Sequence, residues 1–159
     1  LISYLPQAIP EVPCELGEGV AYPRLRYQPA RAREALDSVG FQIDASRLPD
    51  GLATRVGPAG LRLSGGQAQR LQLARVAYHR SPVILIDEGT SALDPEMEKL
   101  VLSRIRKLAD EGAVVVMIAH RLAAVEASDE VLVMSQGALV KSGKTSDVLR
   151  SGEFLAVFH

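Results

Sequence analysis

Two short stretches of this chain carry residue types suited to phosphate chemistry. The first is Leu63-Ser64-Gly65-Gly66-Gln67. Serine is a strong helix N-cap, and two glycines behind it leave the first backbone N–H groups of a helix unobstructed. That makes an anion site suited to a phosphate. The second is Val83-Ile84-Leu85-Ile86-Asp87-Glu88, which follows Pro82. Its four β-branched or leucine residues predict a fully buried strand of a parallel sheet. The carboxylate pair falls at the C-terminal end of that strand, where open α/β sheets bind ligands. Hard cations such as Mg²⁺ take oxygen ligands, so one stretch offers donors to a phosphate and the other offers carboxylates to Mg²⁺ and water.

The elements that must position these groups can be taken in order. Residues 1–5, Leu-Ile-Ser-Tyr-Leu, read as a short strand stopped by Pro6. Residues 8–29 contain Pro10, Pro13, Pro23 and Pro29 with Gly17 and Gly19 and are expected to be irregular. An amphipathic helix is expected from Ala30 to Val39, with Ala32, Ala35, Leu36 and Val39 on one face and Gly40 as its stop. A helix from about Gly65 to Tyr78 follows the first chemical stretch, with Leu71, Ala74, Ala77 and Tyr78 inward. Asp94 caps another helix, with Pro95 at its first position, Glu96 and Glu98 in its first turn, and Met97, Leu100, Val101, Ile105 and Leu108 as its buried stripe. Gly112 ends it, and Ala113 to Ala119 is a second apolar strand with His120 at its C-terminal end. Glu130–Ser135 and Ala138–Lys141 flank Gln136-Gly137 as a hairpin. Two short helices close the chain, the first capped by Thr145 and the second carrying Phe154, Leu155 and Phe158.

Composition narrows the function classes. Lys+Arg 18 against Asp+Glu 19 gives no net charge to recruit nucleic acid or acidic lipid broadly. The single Cys14 has no internal disulfide partner; with a phosphate site, that favours a reducing, cytoplasmic setting. No apolar run approaches the ~18–20 residues that span a bilayer. The chain does not begin with Met, and its first residues read as the middle of a strand, so it is expected to be a piece of a longer protein.

A Leu-Ser-Gly-Gly-Gln pentapeptide upstream of an apolar strand ending in Asp-Glu resembles the nucleotide-binding domain of ABC (ATP-binding cassette) ATPases. Further segments carry the same resemblance. Tyr4-Leu5-Pro6-Gln7 is similar to the family's Q-loop, Gly89-Thr90-Ser91-Ala92-Leu93-Asp94 to the segment after its Asp-Glu strand, and Ile118-Ala119-His120-Arg121 to its H-switch. Thr54-Arg55-Val56-Gly57-Pro58-Ala59-Gly60 resembles the segment before the signature in exporters, which usually carry Glu at the position of Pro58. The spacing of 57 residues from Gln7 to Ser64 suits the short helical subdomain of exporters.

The resemblance implies an α/β fold: the C-terminal portion of a P-loop NTPase core of ABC type, with a parallel sheet flanked by helices plus a small helical subdomain. Residues 1–7 would be the end of a core strand and the Q-loop, 8–63 the helical subdomain, and 64–159 the signature helix and the rest of the core. It implies ATP and Mg²⁺ as cofactors. Asp87 would hold Mg²⁺, Glu88 would act as general base on water, Gln7 would sense both, and His120 would bond the γ-phosphate. Ser64, Gly65, Gly66 and Gln67 would face the nucleotide of a partner domain, with Asp94 at the dimer interface. The implied partners are a transporter's transmembrane domain and a second nucleotide-binding domain in a head-to-tail dimer, without nucleic acid, at the cytoplasmic face of the cell membrane.

The family's Walker A loop has no counterpart here. Gly137 to Thr145 ends in Gly143-Lys144-Thr145, but the loop's first glycine would have to stand at Ala138, and a hairpin rather than a buried strand precedes the motif. The chain by itself is therefore expected to be inactive, its parent supplying the loop from upstream. The rival readings are a soluble ABC ATPase of DNA repair or translation and a purely structural module.

Overall fold

The computed structural model describes residues 2–6, 13–23, 27–44, 46–58, 60–88 and 93–158. They form two compact units, residues 1–118 and 119–159.

The first unit is built on a three-stranded parallel sheet. β1 (Ile2–Leu5) and β5 (Val114–Ile118) lie on either side of β4 (Val83–Asp87). The register pairs Ile2 with Val83 and Leu5 with Ile86 on one side, and Val83 with Val114 and Asp87 with Ile118 on the other. Side chains alternate across a strand, so Leu5, Ile84 and Ile86 turn into the core, where each is almost completely buried. The opposite face carries Ile2, Tyr4, Val114, Val116 and Ile118, all exposed, with Val83, Leu85 and Asp87 half-buried between them. The full burial expected of β4 is thus found on one face only. Its run of apolar residues reports the demand of a parallel sheet for cover on both faces, and one face lacks that cover among the described residues.

Between β1 and β4 the chain makes a helical layer. α1 (Leu16–Ala21), α2 (Pro29–Ser38) and α3 (Gly65–His79) pack on one another, and α3 also packs on β1. Leu16, Val20, Ala32, Leu36, Phe41 and Ala74 form the centre of this core. α3 lies in the middle and is buried on more than the single expected stripe: Gln69, Gln72, Leu73 and Val76 are buried along with Leu71, Ala74 and Tyr78. The stretch 8–29 is not wholly irregular. Cys14–Glu15 forms a strand, β2, antiparallel to β3 (Arg55–Val56), and α1 follows it directly. Glu15 N–H donates to Glu18 Oε2 at 3.2 Å and Leu16 N–H to the Thr54 carbonyl at 3.0 Å. The helix start is therefore held by a segment some forty residues away. Leu16 and Val20 pack inward. α4 (Pro95–Asp110) packs on β5, burying Val101, Leu102 and Ile105.

The second unit comprises α5 (Leu122–Glu126), a hairpin of β6 (Glu130–Ser135) and β7 (Ala138–Lys144), α6 (Thr145–Val148) and α7 (Gly152–Val157). Val125, Val133, Val148 and Phe154 are its core. Gln136 and Gly137 at φ 49° and 77° close the hairpin, the backbone of a primed two-residue turn. The strand β7 runs on through Lys144, so Gly143 and Lys144 are ladder residues paired with Val131 and Glu130. Thr145 is the first residue of α6 rather than its cap. Its hydroxyl donates to the Ser128 carbonyl at 2.7 Å, tying the end of the hairpin to its beginning. Among the described residues, no helix is long and apolar enough to cross a membrane.

Candidate functional site

The carboxylate end of β4 is fixed by the sheet. Asp87 is the last ladder residue of β4, half-buried opposite Ile118 of β5. The Tyr4 phenol on β1 donates to Asp87 Oδ2 at 3.3 Å. Tyr4 pairs in register with Leu85, so Asp87 is its diagonal neighbour on the same face, within reach of a long aromatic side chain. Partial desolvation, then the Asp87 charge and this bond, raise the phenol above its ordinary range. It therefore stays protonated, and a donor, at neutral pH.

Glu88 leaves the strand abruptly. Its φ is 54°, a left-handed conformation unusual for a residue with a side chain. The turn therefore sets in at Glu88 itself, one residue before Gly89. Two adjacent strand residues point to opposite faces, and that alternation stops at Asp87. Gly89, Thr90, Ser91 and Ala92 lie outside the described residues. The next described feature is the start of α4, where Asp94 Oδ1 accepts from Met97 N–H at 3.0 Å and Pro95 takes the first helical position.

The other chemical stretch opens α3. Ser64 Oγ accepts from Gln67 N–H at 3.3 Å, and Ser64 N–H donates to Gln67 Oε1 at 2.9 Å. This reciprocal capping box consumes the Gln67 amide and its side-chain oxygen. The N–H groups of Gly65 and Gly66 have no acceptor within the helix, the Ser64 hydroxyl hydrogen stays free to donate, and the Gln67 side-chain NH₂ is available. A Cβ added at Gly65 or Gly66 would meet nothing within 4 Å. Neither glycine has a positive φ, so packing and backbone geometry leave both unexplained.

Gly57 and Gly60 upstream are the contrast. Gly57 has φ 97°, and a Cβ at Gly60 would stand 2.3 Å from the Arg55 carbonyl oxygen. These two glycines are required by the fold of their own loop.

Of the other sequence-predicted residues, Gln7 lies outside the described residues. His120 is exposed, two residues past the end of β5, and belongs to the second unit. Among the described residues, the structure joins Tyr4 to Asp87 and Ser64 to Gln67, with no hydrogen bond between those pairs or from either to Asp94. Tyr4 escaped the sequence reading because its role depends on a strand pairing that spans 83 residues. Among the described residues, no cluster of three or more His, Cys, Asp or Glu side chains stands ready as a self-sufficient metal cage.

Comparison with known proteins fits this arrangement. The family description "ABC transporter" matches residues 2–91, which include the Ser64 cap and the Asp87-Glu88 strand end. The chain belongs to the ABC transporter family. Within it, the chain is similar to an ATP-dependent lipid A-core flippase of Burkholderia orbicola (strain AU 1054), 42% identical over 130 residues, covering 82% of this chain and 22% of that protein. A flippase of the same description from Xanthomonas campestris pv. campestris (strain 8004) is 40% identical over 145 residues, covering 91% of this chain and 24% of that protein. The chain thus spans under a quarter of the length of these relatives. The solved structure of a bacterial Atm1-family ABC exporter with ATP bound superposes with a TM-score of 0.87 at 35% identity, over 99% of this chain and 28% of that one. The fold is the α/β fold of an ABC ATP-binding domain, of the exporter-like kind.

Proposed function

We propose that this chain is part of the nucleotide-binding domain of an ABC exporter, binding Mg-ATP and hydrolysing it to drive transport. Supporting this above all is the carboxylate pair at the end of the sheet's central strand, Asp87 in the ladder and Glu88 turned out of it. ATP supplies the phosphoryl group, and Mg²⁺ neutralises charge on its oxygens. Mg²⁺ is usually held by one or two carboxylates together with phosphates and water, and a single strand-end aspartate meets that need. In this reading Asp87 would hold the metal, and Gln7 would sense it and the attacking water. Glu88 takes up the proton of the attacking water, and His120 donates to the γ-phosphate.

The open ground over Gly65 and Gly66 is where a ligand from outside the chain would approach. Their N–H groups, with Ser64 and Gln67, would meet the phosphates of a nucleotide held by a second nucleotide-binding domain. Asp94 would stand at the boundary of that head-to-tail pair. The complete protein would also include or engage a transmembrane domain, placing this segment at the cytoplasmic face of the membrane. No nucleic acid enters the scheme.

The test is Glu88→Gln in the full-length exporter subunit that contains this chain. Hydrolysis should fall by ~10²–10⁴-fold, the range of general-base catalysis, while ATP stays bound and the two nucleotide-binding domains stay closed on it. The chain by itself should hydrolyse no ATP in the same assay. Wild-type turnover by Glu88→Gln would sink the assignment.

A further inference from the structure

Within the proposed site, one contact has no assigned role: the Tyr4 phenol donating to Asp87 Oδ2 across the β1–β4 ladder. Tyr4 is 58% exposed, so its hydroxyl is not needed to satisfy the interior, and water would serve it equally well. Yet the parallel register places it diagonally beside Asp87 on one sheet face, and the phenol turns to the carboxylate. Asp87 is the last residue of its strand, followed immediately by the left-handed turn at Glu88. A carboxylate at such an end has no further ladder to steady it. A donor fixed on the neighbouring strand can set its rotamer.

We infer that Tyr4 is a positioning residue for the divalent metal: its hydroxyl holds one oxygen of Asp87 so that the other faces the cation. This rests on the reading of Asp87 as the Mg²⁺ holder. Groups that hydrogen-bond a metal-ligating carboxylate typically change metal affinity by ~10–100-fold when removed. Phenol-to-carboxylate donation suits that role because it leaves Oδ1 with both lone pairs free. At 3.3 Å the bond is longer than the usual O–H···O range of about 2.5–3.0 Å, so it steers the carboxylate rather than clamping it.

The experiment is Tyr4→Phe in the full-length exporter subunit, with Mn²⁺ as a paramagnetic probe bound together with a non-hydrolysable ATP analogue. Mn²⁺ affinity should weaken by ~10–100-fold. Analogue binding measured with metal chelated and the melting temperature should both stay close to wild type. On an Asp87→Asn background, which itself weakens Mn²⁺ binding, adding Tyr4→Phe should cause no further loss. Wild-type Mn²⁺ affinity in Tyr4→Phe would overturn the inference, and so would an equal loss on the Asp87→Asn background, which would mark Tyr4 as merely structural. Wild-type affinity in Asp87→Asn would instead overturn the metal role of Asp87, and with it the basis of this inference.

Discussion

Glu88 holds a conformation that costs an L-residue about 1–2 kcal/mol. Such strain persists only where the surroundings impose it, and it gathers at functional sites. The strain separates two variants that are equally unable to act as a base. Glu88→Ala keeps the Cβ that makes φ 54° costly, whereas Glu88→Gly removes it. Glycine should therefore give the more stable protein, by roughly 1 kcal/mol, the reverse of the order in a regular strand or helix. Chemical denaturation of the two variants decides it, and equal or inverted stabilities would show that the turn is not strained. The identity of the carboxylate pair was legible in the sequence because a strand end is a local signal: four apolar residues, then charge. That the turn begins at Glu88 was not, because Gly89 is the residue whose type advertises a turn. The partnership of Tyr4 with Asp87 was invisible for another reason. It depends on which residues come opposite when two distant strands pair.

Helices and strands with their own punctuation came through well. Gly112, Pro82 and the Asp94-Pro95 pair mark boundaries that the structure keeps to within a residue or two. What failed to show was anything held by a remote segment. β2 and α1 arise in a proline- and glycine-rich stretch because β3 supplies their ladder partner and Thr54 their first acceptor. Thr145 likewise looks like a cap until Ser128 takes its hydroxyl. The glycines divide along the same line, and their substitution tests which are structural. Gly60→Ala drives a methyl group against the Arg55 carbonyl and should destabilise by about 1–3 kcal/mol, as overpacking does. Gly66→Ala meets no atom, and at a helix position alanine is favoured over glycine by up to ~1 kcal/mol. It should leave stability unchanged or raised while ATP hydrolysis by the full-length subunit drops. A Gly66→Ala protein that loses stability as Gly60→Ala does would return Gly66 to the fold and take away its claim as a ligand platform.

At the scale of the whole molecule, the sheet of the first unit carries the clearest unmet demand. A parallel sheet is stable when both faces are covered, yet Ile2, Val114, Val116 and Ile118 are each more than half exposed on one face. If the chain belongs to a larger nucleotide-binding domain, that face is the natural seat for the rest of it. Taken alone, the chain must leave the face in water or cover it by association, since contiguous apolar patches drive contacts between molecules. The isolated chain should therefore self-associate at micromolar concentrations in sedimentation velocity. Threonine retains the β-branch that strands favour while adding a hydroxyl, so Val114→Thr, Val116→Thr and Ile118→Thr together should shift the chain towards monomer without loss of strand content by circular dichroism. The same three substitutions in the full-length subunit should destabilise it, because hydroxyl groups would then be buried where the face meets its cover, at about 1–3 kcal/mol for each hydroxyl left unbonded. If the triple variant were harmless in the full-length subunit, the bare face would be a true molecular surface; if the wild-type chain were a monomer, the apolar face would tolerate water unaided. Only self-association of the short chain together with damage to the long one makes this face the joint along which a complete domain is assembled.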